Sequence, residues 1–276
     1  MNQQELTVIE HIEELRKRLV LSAVFFVISL IGAFFLAKPL ITYLQATSTD
    51  HNLQLHAFNV TAPLMIYIQM TFLISLIITS PIILYQIWAF VSPGLRDIER
   101  RATLSYIPYS FILFLAGLAF SYFILFPYMM NFMMLLSNDL EIEQTIGINE
   151  YFSFLFRITL PFGFLFQMPI IMLFLSRIGL LNPIWMVTFR KYAYFVLFVL
   201  AALITPPELL SHLIVTVPLF ILYEISIFVA RYGYRKYLKS EEARIKEQTE
   251  REQQLQIEQA LQAQRAQIEA MQDDKH

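Results

Sequence analysis

Apolar residues along this chain come in runs too long for a soluble helix, divided by short polar segments crowded with charge. A bilayer core of about 30 Å takes about 20 helical residues, because each unsatisfied backbone group in hydrocarbon costs several kcal/mol. Leu19 to Ala37 reaches that length without one charge, and Pro63 to Phe90 is a longer uncharged run with Pro81 as a predicted kink. Ala102 to Phe126 is a third run, containing Pro108 and followed by Pro127. Phe152 to Leu175 is a fourth, with Arg157, Pro161, Gln167 and Pro169 inside it. The fifth, Tyr192 to Ile204, has 13 residues before Thr205-Pro206-Pro207-Glu208 turns the chain, and Leu209 to Ala230 returns with His212, Pro218 and Glu224 inside.

At 1.5 Å per residue the fifth run covers about 20 Å, so it needs a thinned bilayer or must extend back through Arg190 and Lys191. A re-entrant hairpin from Tyr192 to Ala230 is the alternative. Positive residues orient the spans by their preference for the cytoplasmic side. With both termini inside, Arg16, Lys17 and Arg18, the Arg96 to Arg101 cluster, Arg177, Arg190, Lys191 and the whole tail place 18 of 20 Lys and Arg on one face. Lys38 sits in an outer loop, and Arg157 can snorkel from the outer end of span four. The outer segment from Pro127 to Tyr151 is acidic, and Lys38 to Ala62 reads as a stretch that can lie along the outer surface. The prediction is an all-α polytopic membrane protein of six transmembrane helices: a cytoplasmic segment over 1–18, a membrane domain over 19–230 and a polar tail, helical or disordered, over 231–276. The first span follows 18 residues of mixed charge without a cleavage pattern, so it reads as a permanent anchor.

Composition agrees. Charged residues make 15%, where about 25% is usual in soluble domains, and 14 of them fall after Lys239. Twenty-five Phe exclude a disordered body, and the absence of Cys excludes disulfide staples and thiolate chemistry. A net charge of −2 offers no footprint for nucleic acid. Intramembrane hydrolysis would need paired aspartates, a nucleophile with a base, or metal ligands at depth. No Asp lies in a span, and His212 stands alone at the outer edge of its span, where an interfacial hydrogen-bonder is expected. No phosphate loop, dinucleotide fingerprint or His-Glu-x-x-His pair is present. The expectation is a protein that is not an enzyme and carries neither cofactor nor metal.

The informative side chains are carboxylates among cations at the predicted cytoplasmic surface. His11-Ile12-Glu13-Glu14-Leu15-Arg16-Lys17-Arg18 precedes span one, and Glu14 and Arg18 form an i, i+4 pair. Trp88 to Arg101 joins spans two and three with aromatic, turn and mixed-charge residues. Either segment alone reads as an ordinary positive-inside flank. Together they offer two carboxylates on one face, which suits a di-cationic ligand and guanidinium best, because its planar fork bonds a carboxylate twice.

Five strings carry a family resemblance: His11 to Arg18, SPIILYQIWAF from Ser80, SPGLRDIERR from Ser92, FGFLFQMP from Phe162 and TPPE from Thr205. The chain resembles the TatC family, the signal-peptide receptors of twin-arginine translocases, from about His11 to Tyr232. The resemblance implies a glove-shaped, concave six-helix bundle in a bacterial or archaeal cytoplasmic membrane. It implies recognition of Arg-Arg signal peptides on folded proteins and export driven by the proton-motive force. The implied signal-peptide residues are Glu14, Glu99, Phe90, Arg16 and Arg101, and the family's outer-turn acid falls on Glu208. The implied partners are single-span subunits of the TatA type, with the TatB type left open, together with membrane lipids and further copies in an oligomer. Gln167 stands where many members carry Glu, so it cannot titrate, and it reads equally as a functional polar residue or as an interhelical hydrogen bond. Pro81 belongs with the prolines that would curve the wall. The rival reading from the residues alone, a secondary transporter of a small cation, wants an internal repeat and buried acids that the chain lacks.

Overall fold

The computed structural model describes residues 8–50, 55–91, 104–141, 145–205 and 209–273. Its helices are α1 Val8–Asp50, α2 Ala62–Val91, α3 Tyr106–Phe120, α4 Phe126–Asp139, α5 Ile148–Leu165, α6 Met168–Arg177, α7 Pro183–Thr188, α8 Arg190–Ile204 and α9 Leu209–Asp273. Five helical stretches are long and apolar enough to cross a membrane. The wholly helical expectation needs one amendment: β1 Leu55–His56 pairs in parallel with β2 Ile146–Gly147, tying together the connections that lead into α2 and α5.

Three predicted boundaries move. The outer stretch from Lys38 does not lie apart from the first span, because α1 continues unbroken through Pro39 to Asp50. The third span does not stop before Pro127, because a π turn at Ser121–Leu125 joins α3 to α4 and the rod runs on to Asp139. There Phe126 N–H bonds the carbonyl of Ser121, five residues back, so the extra residue is absorbed just before the proline that cannot donate. The fifth run does extend back to Arg190, yet α8 at 15 residues stays short of a full span. Helices α1 and α9 pass without a break across the expected domain edges at 18 and 230.

Neighbouring helices pair in alternating directions. Stacked His11 and Phe90, Phe26 against Phe72, and the Tyr67 hydroxyl on the Phe34 carbonyl run α1 antiparallel to α2. Ser29 Oγ bonds Thr79 Oγ1 at 2.7 Å and also Ser75 Oγ, a hydroxyl clasp inside that pair. Gly117 and Gly163 let α3 and α5 touch: a Cβ on Gly117 would lie 2.6 Å from the Phe162 carbonyl oxygen. Gly233 does the same between α9 and α6, where a Cβ would stand 2.8 Å from the Leu173 carbonyl oxygen. The buried core joins Met70, Phe152, Phe162, Val215 and Leu219 across α2, α5 and α9. The outward surface is apolar, with Phe35, Ile112, Phe195 and Phe228 exposed, as hydrocarbon solvent requires.

Pro81 leaves α2 helical throughout. It cannot donate to the Ile77 carbonyl four residues back, and Ser80 Oγ takes that carbonyl at 2.8 Å instead.

Candidate functional site

The N-terminal end of α1 lies against the C-terminal end of α2, and this packing assembles the described half of the predicted site. His11 stacks on Phe90 with ring centroids 4.3 Å apart and planes 25° from parallel. Two turns further along α1, Arg18 donates to Glu14 Oε1 through Nε at 3.1 Å and through Nη2. Its third nitrogen, Nη1, reaches Gln86 Oε1 on α2 at 3.4 Å. Arg18 therefore fixes the Glu14 carboxylate beside α2. Both members of the pair are partly exposed, at 22% for Glu14 and 26% for Arg18. Arg16 is exposed on α1, and Phe90 is half-buried. Glu99, Arg101 and Glu208 lie outside the described residues, so the second carboxylate of the cradle and the outer-turn acid have no geometry here.

Beside this corner an apolar groove of about 110 Å3 opens between α2, α3 and α6, lined by Leu84, Trp88, Val91, Tyr106, Ile170 and Phe174. Among the described residues the Trp88 indole N–H is buried without a hydrogen-bond partner. Arg177 Nη1 donates to the Tyr106 hydroxyl at 3.1 Å across the groove's edge.

Gln167 sits at the break between α5 and α6, 7% exposed, and faces Ser110 on α3. Its Nε2 donates to the Ser110 carbonyl at 3.0 Å, and the Ser110 hydroxyl donates to its Oε1. Both ends of the amide are thus used in joining two helices. Pro169, in the first turn of α6, has no N–H to carry α5 onward and places the break where Gln167 stands.

Glu224 is held from α8: Arg190 Nη2 donates to its Oε2 at 3.0 Å, Nε lies 2.9 Å from Oε1, and Tyr194 donates to Oε1 as well. The short α8 brings its first residue level with Glu224 rather than with the basic tail. His212 departs from the expected interfacial hydrogen bond: among the described residues both ring nitrogens are buried without partners, and the ring packs edge-on to Phe198 with centroids 4.2 Å apart. Among the described residues no group of His, Asp or Glu is arranged to hold a metal ion.

Gln86 and the bridging role of Arg18 go beyond the residues expected from the sequence. Gln86 carried a signal, being an amide in an uncharged run; the Tyr106–Arg177 and Arg190–Glu224 contacts, between segments far apart in the chain, carried none.

Residues 10–218 match the family described as Sec-independent protein translocase protein (TatC). The chain is 58% identical over 243 residues to Sec-independent protein translocase protein TatCy of Bacillus subtilis (strain 168), covering 88% of this chain and 96% of the relative. It is 53% identical over 252 residues to the TatC protein of Halalkalibacterium halodurans, covering 91% and 100%. A crystal structure of a twin-arginine translocase receptor, TatC, superimposes with a TM-score of 0.72 at 34% identity, covering 81% of this chain and 99% of that one.

Proposed function

Because this chain belongs to the TatC family of Sec-independent protein translocase proteins, we propose that it receives Arg-Arg signal peptides at the charged ends of α1 and α2 and scaffolds the export of the folded proteins that carry them. It is a multi-pass membrane protein and a translocase component, not an enzyme. In this reading α8 counts as the fifth of six crossings, both termini are cytoplasmic, and the six helices form the concave glove of the family.

The observation that carries the reading is the corner itself: a carboxylate pre-positioned by Arg18, an aromatic plane at Phe90 and an apolar groove, all at one end of the helix bundle. An incoming guanidinium joins Arg18 on Glu14 by bonding Oε2, since both Arg18 bonds go to Oε1, and a hydrogen bond to a charged partner contributes about 1.5–3 kcal/mol. Glu99 takes the second guanidinium, Phe90 meets the apolar side chain after the arginine pair, and Arg16 and Arg101 repel wrongly placed cations. Gln167 and Pro81 shape the wall, and Glu208 marks the outer turn against which single-span partner subunits assemble.

Crosslinking tests this. A labelled Arg-Arg signal peptide should capture a photoreactive residue at Ile12 or Trp88 of the detergent-solubilised chain, and a Lys-Lys control should not. Equal capture of the two peptides, or capture only at the opposite end of the bundle, excludes the assignment.

A further inference from the structure

We propose that the cavity between α7 and the basic stretch of α9 is a binding site for the headgroup of an anionic phospholipid. A cavity of about 290 Å3 opens there, lined by Pro183, Ile184, Val187, Arg231, Tyr234 and Arg235. The two arginines stand four residues apart on one helix face, with Cβ atoms about 5–6 Å from each other, a spacing at which both can bond one phosphodiester.

Their charge is not neutralised locally. Glu224, the acidic residue about two turns before Arg231, is held by Arg190 and Tyr194. Glu241, the next carboxylate along α9, pairs with Arg244. Among the described residues neither Arg231 nor Arg235 forms an ion pair. Lys236, between them and the tail, lies over the Tyr232 ring at 4.7 Å. The Asn182 side chain at the rim is committed, since its Oδ1 accepts from Ile184 N–H at 2.9 Å.

The surroundings select a lipid over a dissolved anion. The lining opposite the arginines is apolar, and Ile184 within it and Trp185 next to it on α7 are 68% and 63% exposed. An aromatic and aliphatic shelf next to unpaired cations at the end of a span is the arrangement of the membrane interface, where basic pockets between helices hold anionic headgroups. The phosphate rests on Arg231 and Arg235, and the first methylenes of the acyl chains lie along Ile184 and Val187. The site is separate from the α1–α2 corner and does not depend on its reading.

Trp185 reports on this cavity. The chain has two tryptophans, so Trp88→Phe leaves Trp185 as the single emitter in the purified, delipidated full chain. Phosphatidylglycerol with brominated acyl chains should half-quench it at a mole fraction about tenfold lower than brominated phosphatidylcholine does, given the contribution of each surface cation to anionic lipid binding. Arg231→Gln with Arg235→Gln should remove the difference, and the double Lys variant should retain most of it. Inorganic phosphate should displace no more lipid than chloride at equal ionic strength. Equal half-points for the two lipids, or an undiminished preference in a folded Gln variant, overturns the proposal. Displacement by phosphate beyond the chloride effect also overturns it, by making the cavity a site for a free anion. If the Gln variant does not fold, the lipid comparison and the phosphate competition in the parent still decide.

Discussion

Glu14 draws its value from the side chain that holds it. With Arg18 on one side and Gln86 behind that arginine, the carboxylate is aimed before any ligand arrives, so little rotamer entropy is left to lose on binding. Glu14→Ala and Glu99→Gln are each expected to abolish export of Arg-Arg substrates while the protein stays in the membrane at its normal level. An export assay beside an immunoblot checks this, and normal export by both variants would remove the site assignment. Gln167 predicts an effect of a different kind. Replacing it by Leu leaves the buried Ser110 carbonyl and hydroxyl without their partner, and the loss should be about 0.6–2 kcal/mol. A double-mutant cycle with Ser110→Ala, read by unfolding in detergent, should show the part of that loss carried by the hydroxyl; additive effects would mean the hydroxyl bond contributes nothing.

The helices meet through small residues where their backbones approach. Gly233 is one such case, because any side chain there meets the Leu173 carbonyl oxygen of the α6 backbone. Gly233→Leu should therefore cost about 1–3 kcal/mol, the usual range for overpacking. It should also lower disulfide formation between cysteines introduced on α6 and α9, and an unchanged crosslinking yield would refute the close contact. The short α8 shows the same dependence on neighbours. Its 15 residues cover about 22 Å, less than a bilayer core. The Arg190–Glu224 pair ties its start to α9, and α7, with Trp185 exposed, leads into it.

The alternating helix directions put the start of α1, the end of α2, the start of α3, the end of α6 and the basic part of α9 at one end. The chain contains no cysteine, so single cysteines give a clean topology map. A cysteine at Ile245 should react with an impermeant thiol reagent only after the membrane is opened, and one at Phe58 should react in intact cells. Labelling of both from outside would contradict the arrangement. The α9 helix, 65 residues long, extends about 98 Å at the ideal rise, far more than a bilayer needs, so its polar part projects beyond the membrane with Ile257 and Leu261 exposed. Runs of apolar residues were enough to locate the spans, because hydrocarbon tolerates only a closed backbone and little charge, and that constraint acts residue by residue along the chain. The clustering of Lys and Arg was likewise readable in order, as was the pairing of Glu14 with Arg18, since helical spacing alone brings them together. The continuation of α1 and α3 past their prolines was not readable: a π turn and the remaining helical hydrogen bonds outweighed the local penalty. The partners of Gln167, Glu224 and His212 were hidden for a further reason. Each depends on which helix packs beside it and at what depth, and no periodicity within one segment records the position of another.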